Sequence, residues 1–254
     1  MSNPSYFDAY KNLAMSRDDN GVLTTRFHTD GGPIVFTERT HEDLPRALED
    51  ISLDAGNRAM VLTGTGDVFM DQIDGPSLGE IFKPAHWEKI RTEGLKVLQR
   101  LLELPMPVVG VANGPATVHS EYLLLCDIHI ASDRAVYGDF PHPAFAITAG
   151  DGLQVVWEEV AGLARAKWLL WTGETIDAAT AKEWGVVNEV VPHERALARG
   201  LEIATKLAAK PDLYRKLQKQ TLNQRLRRRI VEGVPYGMAL EGLTASDLPY
   251  QQQA

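Results

Sequence analysis

A chain of 254 residues, 44% hydrophobic and 24% charged, has the balance of a soluble globular protein and the length to bury a sizeable core. Its net charge of −8 argues against a nucleic-acid partner, and its single cysteine, Cys126, rules out an internal disulfide and fits a reducing cytoplasm. No apolar run approaches the roughly 18 residues of a membrane span and the N-terminus lacks a signal-peptide pattern, so a cytoplasmic protein with no membrane partner is expected.

In chain order, residues 1–20 read as a polar lead-in, extended or helical. Residues 22–27 and 33–37 read as strands around the turn signal Asp30-Gly31-Gly32. Thr40 is the expected N-cap of the helix HEDLPRALEDIS, with Pro45 near its start. AMVLT at 59–63 reads as a buried strand, followed by a Gly-rich turn and residues 69–74. Trp87, Ile90, Leu95, Leu98, Leu101 and Leu102 keep helical spacing over 87–104, and Pro105 and Pro107 end that helix. PVVGVA at 107–112 is a second buried strand. A turn at 113–116 leads to a short helix over 119–126 that opens at Ser120 and Glu121, and strands follow at 128–131 and 135–137.

The stretch AVYGDFPHPAFAITAGDG, residues 135–152, is the centre of the chain. A strand empties into a Gly/Pro-rich loop that carries Asp139, His142 and Asp151. His142 and Asp151 could be a base and its orienting partner, or a surface histidine and the N-cap of the helix LQVVWEEVAG. Beyond it helices dominate, at 151–160, 164–171, 177–184, 194–209, 211–231 and 236–244, with one strand at 186–191. The pattern is α/β with parallel pairing, a core over 1–194 and a helical region over 195–254 forming one functional unit. RLRRR at 225–229 reads as a solvated helix face, and Cys126 as a core residue.

Taken singly, several polar residues have ordinary readings. Glu121 suits the first turn of a helix, Asp74 a turn or cap, Glu241 a solvated helix face and His119 a buried core position. His28, His41, His86, His129 and His193 lack zinc-site spacing, so no metal is expected.

The order of motifs resembles the crotonase (enoyl-CoA hydratase/isomerase) superfamily over roughly residues 20–250. GTGDVFMDQID, PVVGVANGPATVHSEYLLLCDIHIAS, FPHPAFAITAGDG and TGETIDAATAKEWGVVNEVV carry the likeness. It implies a spiral of ββα turns with a C-terminal helical trimerisation region, assembled as a homotrimer or a dimer of trimers. Two departures stand out. Asp71-Gln72-Ile73-Asp74 replaces the usual Ala-Gly-Ala-Asp, and Thr117-Val118-His119-Ser120 replaces a Gly-rich run. Small residues there would let a thioester oxygen reach backbone N–H groups, and Val118 and His119 would crowd that approach. Glu121 and His142 stand where hydratases carry their two catalytic glutamates. His119-Ser120-Glu121-Tyr122, Pro141-His142 with Gly150-Asp151-Gly152, and Ala239 to Ala245 together resemble the 6-oxocamphor hydrolase-like branch, which cleaves carbon–carbon bonds of cyclic β-diketones.

That resemblance implies His119, His142, Asp151 and Glu241 as the catalytic set and a small-molecule diketone as substrate, with no cofactor. Water would add to one ketone, and the central bond would break to leave an enolate. His142 would be the base, Asp151 its orienting partner, His119 the enolate's donor, and Glu241 would orient substrate or water. Phe36, Phe69, Ile73, Phe82, Trp87 and Phe145 are candidates for an apolar wall, with Glu121 as a further substrate contact. The alternative is the superfamily's commoner work on CoA thioesters, as hydratase, isomerase or hydrolase.

Overall fold

The two most apolar runs, AMVLT and VVGVA, lie side by side in parallel and are buried on both faces, as the middle of a parallel sheet requires. They belong to a computed structural model that describes residues 3–251. Its first strands are β1 (Leu13–Arg17), β2 (Val22–Phe27) and β3 (Val35–Phe36), followed by helix α1 (Glu38–Leu53). Next come β4 (Ala59–Thr63), β5 (Gln72–Ile73), α2 (Pro84–Glu103) and β6 (Val108–Ala112). The centre of the chain holds α3 (Glu121–Leu124), β7 (Ile128–Ser132), β8 (Val136–Tyr137), α4 (Pro141–Phe145) and α5 (Leu153–Ala161). The remainder is α6 (Leu163–Thr172), β9 (Ile176–Asp177), α7 (Ala178–Glu183), β10 (Glu189–Val191), α8 (His193–Ala208) and α9 (Asp212–Gln251).

The main sheet has the order β1-β2-β4-β6-β7-β10 and is parallel except for the β1–β2 pair. Each turn of the spiral runs along a long strand, through a short strand or bridge, and into a helix. Thus β2 leads to β3 and α1, and β4 to β5 and α2, with β3 and β5 paired in parallel. After β6, Ala116 alone bridges Met70 on one side and Tyr137 on the other. This is the expected crotonase-like α/β spiral. One face of the sheet packs on α8 through Val61, Val109, Val111, Ala196 and Ala204. The other carries the larger core, which includes Leu48 of α1, Leu98 of α2, Trp157 of α5 and Val234 of α9.

Several boundaries differ from the sequence reading, each for a local reason. β1 lies within the polar lead-in, because a half-exposed edge strand alternates too few apolar residues to announce itself. The strand expected at 33–37 shrinks to Val35–Phe36. The N-cap of α1 is Thr37, whose hydroxyl accepts from the Thr40 N–H at 3.3 Å, so Pro45 sits well inside the helix. His142 lies on the short helix α4, not in a loop. The helices expected at 211–231 and 236–244 are one 40-residue helix that runs through Pro235. Its packing on α2 and α5 outweighs the hydrogen bond that proline removes.

Cys126 is half-buried against the core, and burial pushes its thiol pKa up. The RLRRR face is laced with ion pairs, Arg225 and Arg229 to Glu159 and Arg227 to Glu103. No helix among the described residues is long and apolar enough to cross a membrane.

One close approach positions α9 over the centre of the sequence. A Cβ on Gly150 would lie 2.2 Å from the Gly237 carbonyl oxygen, so the two backbones touch where neither residue has a side chain. Gly150→Ala is therefore expected to cost about 1–3 kcal/mol of unfolding free energy in urea titrations, as overpacking does. Gly75→Ala, whose methyl would meet nothing within 4 Å, should leave the midpoint unchanged or slightly raised.

Candidate active site

β8 ends at Tyr137, and the chain turns through Asp139 into α4, which presents His142. Both Asp139 carboxylate oxygens lie against His142 Nδ1, at 2.9 and 3.0 Å. Nδ1–H therefore donates to Asp139, and Nε2 is the nitrogen turned to the other groups of the site. Nε2 lies 3.4 Å from Glu241 Oε1, delivered by α9, and 3.9 Å from Asp151 Oδ2.

His119 precedes α3 with φ +47, a left-handed conformation costly for a residue with a side chain. Its ring stacks on Tyr122 at 4.9 Å and leans on Phe36 at 4.3 Å. Nδ1–H donates to Glu121 Oε1 at 2.8 Å, and Asp151 Oδ2 lies 3.5 Å away. Asp151 Oδ2 thus stands between the two imidazoles. The four residues expected to act together, His119, His142, Asp151 and Glu241, line one cavity of about 640 Å³.

Two expectations for Asp151 are corrected. At 3.9 Å it does not hydrogen-bond His142, whose orienting partner is Asp139, three residues away across the first turn of α4. Nor is it a cap: α5 begins at Leu153, its N-cap is Gly152 at φ +127, and no side chain caps it. Glu241 is buried, not solvated, and Glu121 both opens α3 and holds His119. Asp74 does cap, accepting from the Ser77 N–H that follows.

Phe36, Ile73, Phe82, Trp87, Glu121 and Phe145 all border the cavity. Phe69 does not; it is core, edge-on to Phe27 at 5.6 Å. The sequence reading missed His41, a buried wall residue whose Nδ1 pairs with Glu93 at 3.1 Å. Asp139 was visible in the central stretch but had no assigned role; the Asp-x-x-His spacing at a helix start was its signal. Val118 and His119 face the cavity, and the N–H groups of Thr117 and Val118 are both spent on the Met70 carbonyl.

Four carboxyls, Glu121, Asp139, Asp151 and Glu241, surround two imidazoles, and among the described residues no Lys or Arg borders the cavity. Burial works against charge on His142, yet the Asp151 charge and the bonds to Asp139 and Glu241 outweigh it, lifting the ring well above the imidazole range. His119 is raised in the same way against burial, by the charge and hydrogen bond of Glu121 and by Asp151. Burial raises Glu121 and pushes Glu241 up to about 7. Glu121 Oε2, Asp151 Oδ1 and Glu241 Oε2 are buried with no hydrogen-bond partner, an arrangement that costs about 1–3 kcal/mol or more per group. Two trios, His119/Glu121/Asp151 and His142/Asp151/Glu241, group donor atoms closely enough to hold a metal ion.

A buried carboxyl raised from 4.5 to about 7 holds its proton more tightly in the fold than in the unfolded chain. Its stabilising contribution is complete below about pH 4.5 and lost as pH rises through 7, a difference of roughly 3 kcal/mol. Glu241→Gln, which never ionises, should therefore melt above the wild type near pH 8, with the gain vanishing toward pH 4.5. An equal or lower Tm near pH 8 would contradict the burial cost.

Residues 19–244 match the enoyl-CoA hydratase/isomerase family. The chain is 31% identical over 188 residues to the short-chain-enoyl-CoA hydratase of Clostridium acetobutylicum, spanning 73% of this chain and 71% of that one. It is similar to the structure of ABDH, a β-diketone hydrolase from the cyanobacterium Anabaena sp. PCC 7120 bound to (S)-3-oxocyclohexyl acetic acid. That likeness has 45% identity and a TM-score of 0.96 over 98% of this chain and 100% of that chain. A likeness at 25% identity and TM-score 0.86, over 93% and 94%, relates it to an enoyl-CoA hydratase/isomerase of Mycobacterium paratuberculosis. The fold, the motif order and these matches agree: the chain belongs to the enoyl-CoA hydratase/isomerase family, the crotonase superfamily.

Proposed function

We propose that the chain is a hydrolase that cleaves the carbon–carbon bond of cyclic β-diketones by a retro-Claisen reaction, without a cofactor. The pair of imidazoles, His119 and His142, set around Asp151 in a largely apolar cavity, carries this reading. The 45% identity to a β-diketone hydrolase supports it. The names of the curated relatives point instead to acyl-CoA chemistry. Against that stand His142, where hydratases carry a glutamate, and the crowding of the thioester approach by Val118 and His119.

In this mechanism Asp139 holds Nδ1–H, and Nε2 of His142 takes the proton of the attacking water. Because that ring is held cationic, its Nε2 proton first passes to Glu241, 3.4 Å away and raised to about 7. The hydroxide adds to one ketone carbonyl. The tetrahedral adduct collapses to a carboxylic acid as the bond to the central carbon breaks, its electron pair leaving as the enolate of the second ketone. His119, held protonated by Glu121 and Asp151, donates to the enolate oxygen. A proton from the Glu241–His142 pair then reaches the central carbon. The apolar walls hold the hydrocarbon frame and keep bulk water from competing for these protons. A trimer or pair of trimers in the cytoplasm completes the reading; Trp171, 84% exposed, and Leu222, 67% exposed, leave apolar surface for such assembly.

The test is a 2,2-disubstituted cyclic 1,3-diketone, which cannot hide as its own enolate. It should yield a keto acid with no added cofactor, and turnover of acyl-CoA alone would contradict the reading. His142→Ala should lower kcat by about 10²–10⁴, and His119→Ala by about 10²–10³. Full activity in either variant would reject its role.

The pH profile has a definite sign. The proton of His142 needs an ionised Glu241 to receive it, so the acid limb of kcat/KM should follow Glu241, which burial pushes up to about 7. Glu241→Gln removes that acceptor, so the maximum rate should fall and the acid limb should pass to His142, whose ring Asp151 and Asp139 still hold above the ordinary imidazole range.

A further inference from the structure

The cavity reaches well past the groups that the hydrolytic chemistry uses. Trp87, Ile90, Gly94 and Leu98 border it as one stripe of α2, which climbs about 16 Å along the helix. Helix α9 runs beside this stripe in the opposite direction: Asn223 Nδ2 donates to the Leu102 carbonyl at 3.5 Å, and Trp87 Nε1 to the Met238 carbonyl at 3.0 Å. The reacting groups stand between the two ends of the stripe. A Cβ on Gly152, next to Asp151, would lie 2.6 Å from Leu98, and one on Gly242, next to Glu241, would lie 2.4 Å from Trp87.

Beyond Trp87 the walls change character. Leu78, Ile81 and Phe82 border the cavity from the segment before α2, where His86 Nε2–H donates to the Leu78 carbonyl at 2.6 Å. Leu248 borders the same end from α9, about 10 Å further along that helix than Glu241. Among the described residues, every acidic or imidazole side chain on the wall belongs to the imidazole–carboxylate cluster or is His41, which lies against Gly94. The far end is therefore hydrocarbon, and Phe82 is left 36% exposed there. Size points the same way. At about 30 Å³ per water-sized atom, the cavity of about 640 Å³ holds roughly twenty, and a cyclohexane-1,3-dione ring supplies about eight.

We infer that the end beyond Trp87 is a channel for an unbranched hydrocarbon arm of the substrate, about eight carbons long. Bonds of about 1.5 Å at tetrahedral angles advance about 1.25 Å each, so eight carbons cover the distance of about 10 Å from Glu241 to Leu248. Water finds few hydrogen-bond partners on such walls, and a hydrocarbon chain needs none. The arm takes no part in the bond that breaks; its burial anchors the reacting carbonyls between the two imidazoles. The head group rests on the diketone reading, whereas the channel rests on its walls.

The test is kcat/KM for 2-methyl-2-alkylcyclohexane-1,3-diones with arms from methyl to decyl. It is paired with calorimetric Kd values for the matching 2-alkylcyclohexanones, which have no second carbonyl and are not cleaved. Both should improve about twofold to fourfold per methylene, the effect of burying one CH₂, and level off near octyl, where the arm leaves the channel. Leu248→Trp, which fills the channel, should cut the octyl-to-methyl ratio at least tenfold; the wild-type series needs no variant to fold. Diketone turnover that stays flat or falls as the arm grows overturns the channel and leaves the diketone reading standing. If no diketone turns over, that reading falls and the ketone series decides: a Kd that improves and levels off supports the channel, and a Kd unmoved by arm length overturns it. A gain that continues undiminished to decyl, or that Leu248→Trp leaves in place, also overturns it, since partition onto any apolar surface does the same.

Discussion

One carboxylate shared by two imidazoles governs this cavity. Asp151 Oδ2 lies 3.5 Å from His119 and 3.9 Å from His142, close enough for its charge to raise both rings. Each ring also has a carboxylate of its own, Glu121 on His119 and Asp139 on His142. The result is a divided site: one nitrogen of each ring is fixed by its private partner, and both rings feel the charge at the centre. A lone buried charge would be expensive, so each member is tolerated because the others are there. The buried oxygens of Glu121, Asp151 and Glu241 that find no hydrogen-bond partner mark where that mutual satisfaction stops.

The fold brings this about by converging three distant pieces of chain. The bridge at Ala116 aligns the segment before α3 beside β8, so that His119 and Asp139 arise from neighbouring positions. Gly150 lets the 149–152 turn press against Gly237, and one turn further along α9 stands Glu241. The hydrophobic packing of α9 on α2 and α5 therefore fixes the distance between Glu241 and His142. Trp87 reinforces it, its indole N–H donating to the Met238 carbonyl at 3.0 Å.

Much of the fold was legible because its central strands are uninterrupted apolar runs and α2 keeps its spacing for five turns. What was missed follows from averaging. β1 exposes two of its five residues, which left the lead-in open to an extended or a helical reading, and Pro235 breaks a helix in isolation but not one pinned along two others. Within the site, the motifs singled out His119, His142 and Glu241, and the fold brings all three to one cavity. Asp139 was passed over because Asp151 also neighboured a histidine in sequence, and sequence separation does not say which nitrogen faces which acid. His41 carried no local pattern; its place on the wall comes from α1 packing against α2.

The most direct test of the shared carboxylate is an NMR pH titration of the histidine ring signals in wild-type protein and in Asp151→Asn. The account predicts that removing this one charge lowers the pKa of both His119 and His142, since its field raises both. If only one ring moves, or neither does, Asp151 is not the group that joins them.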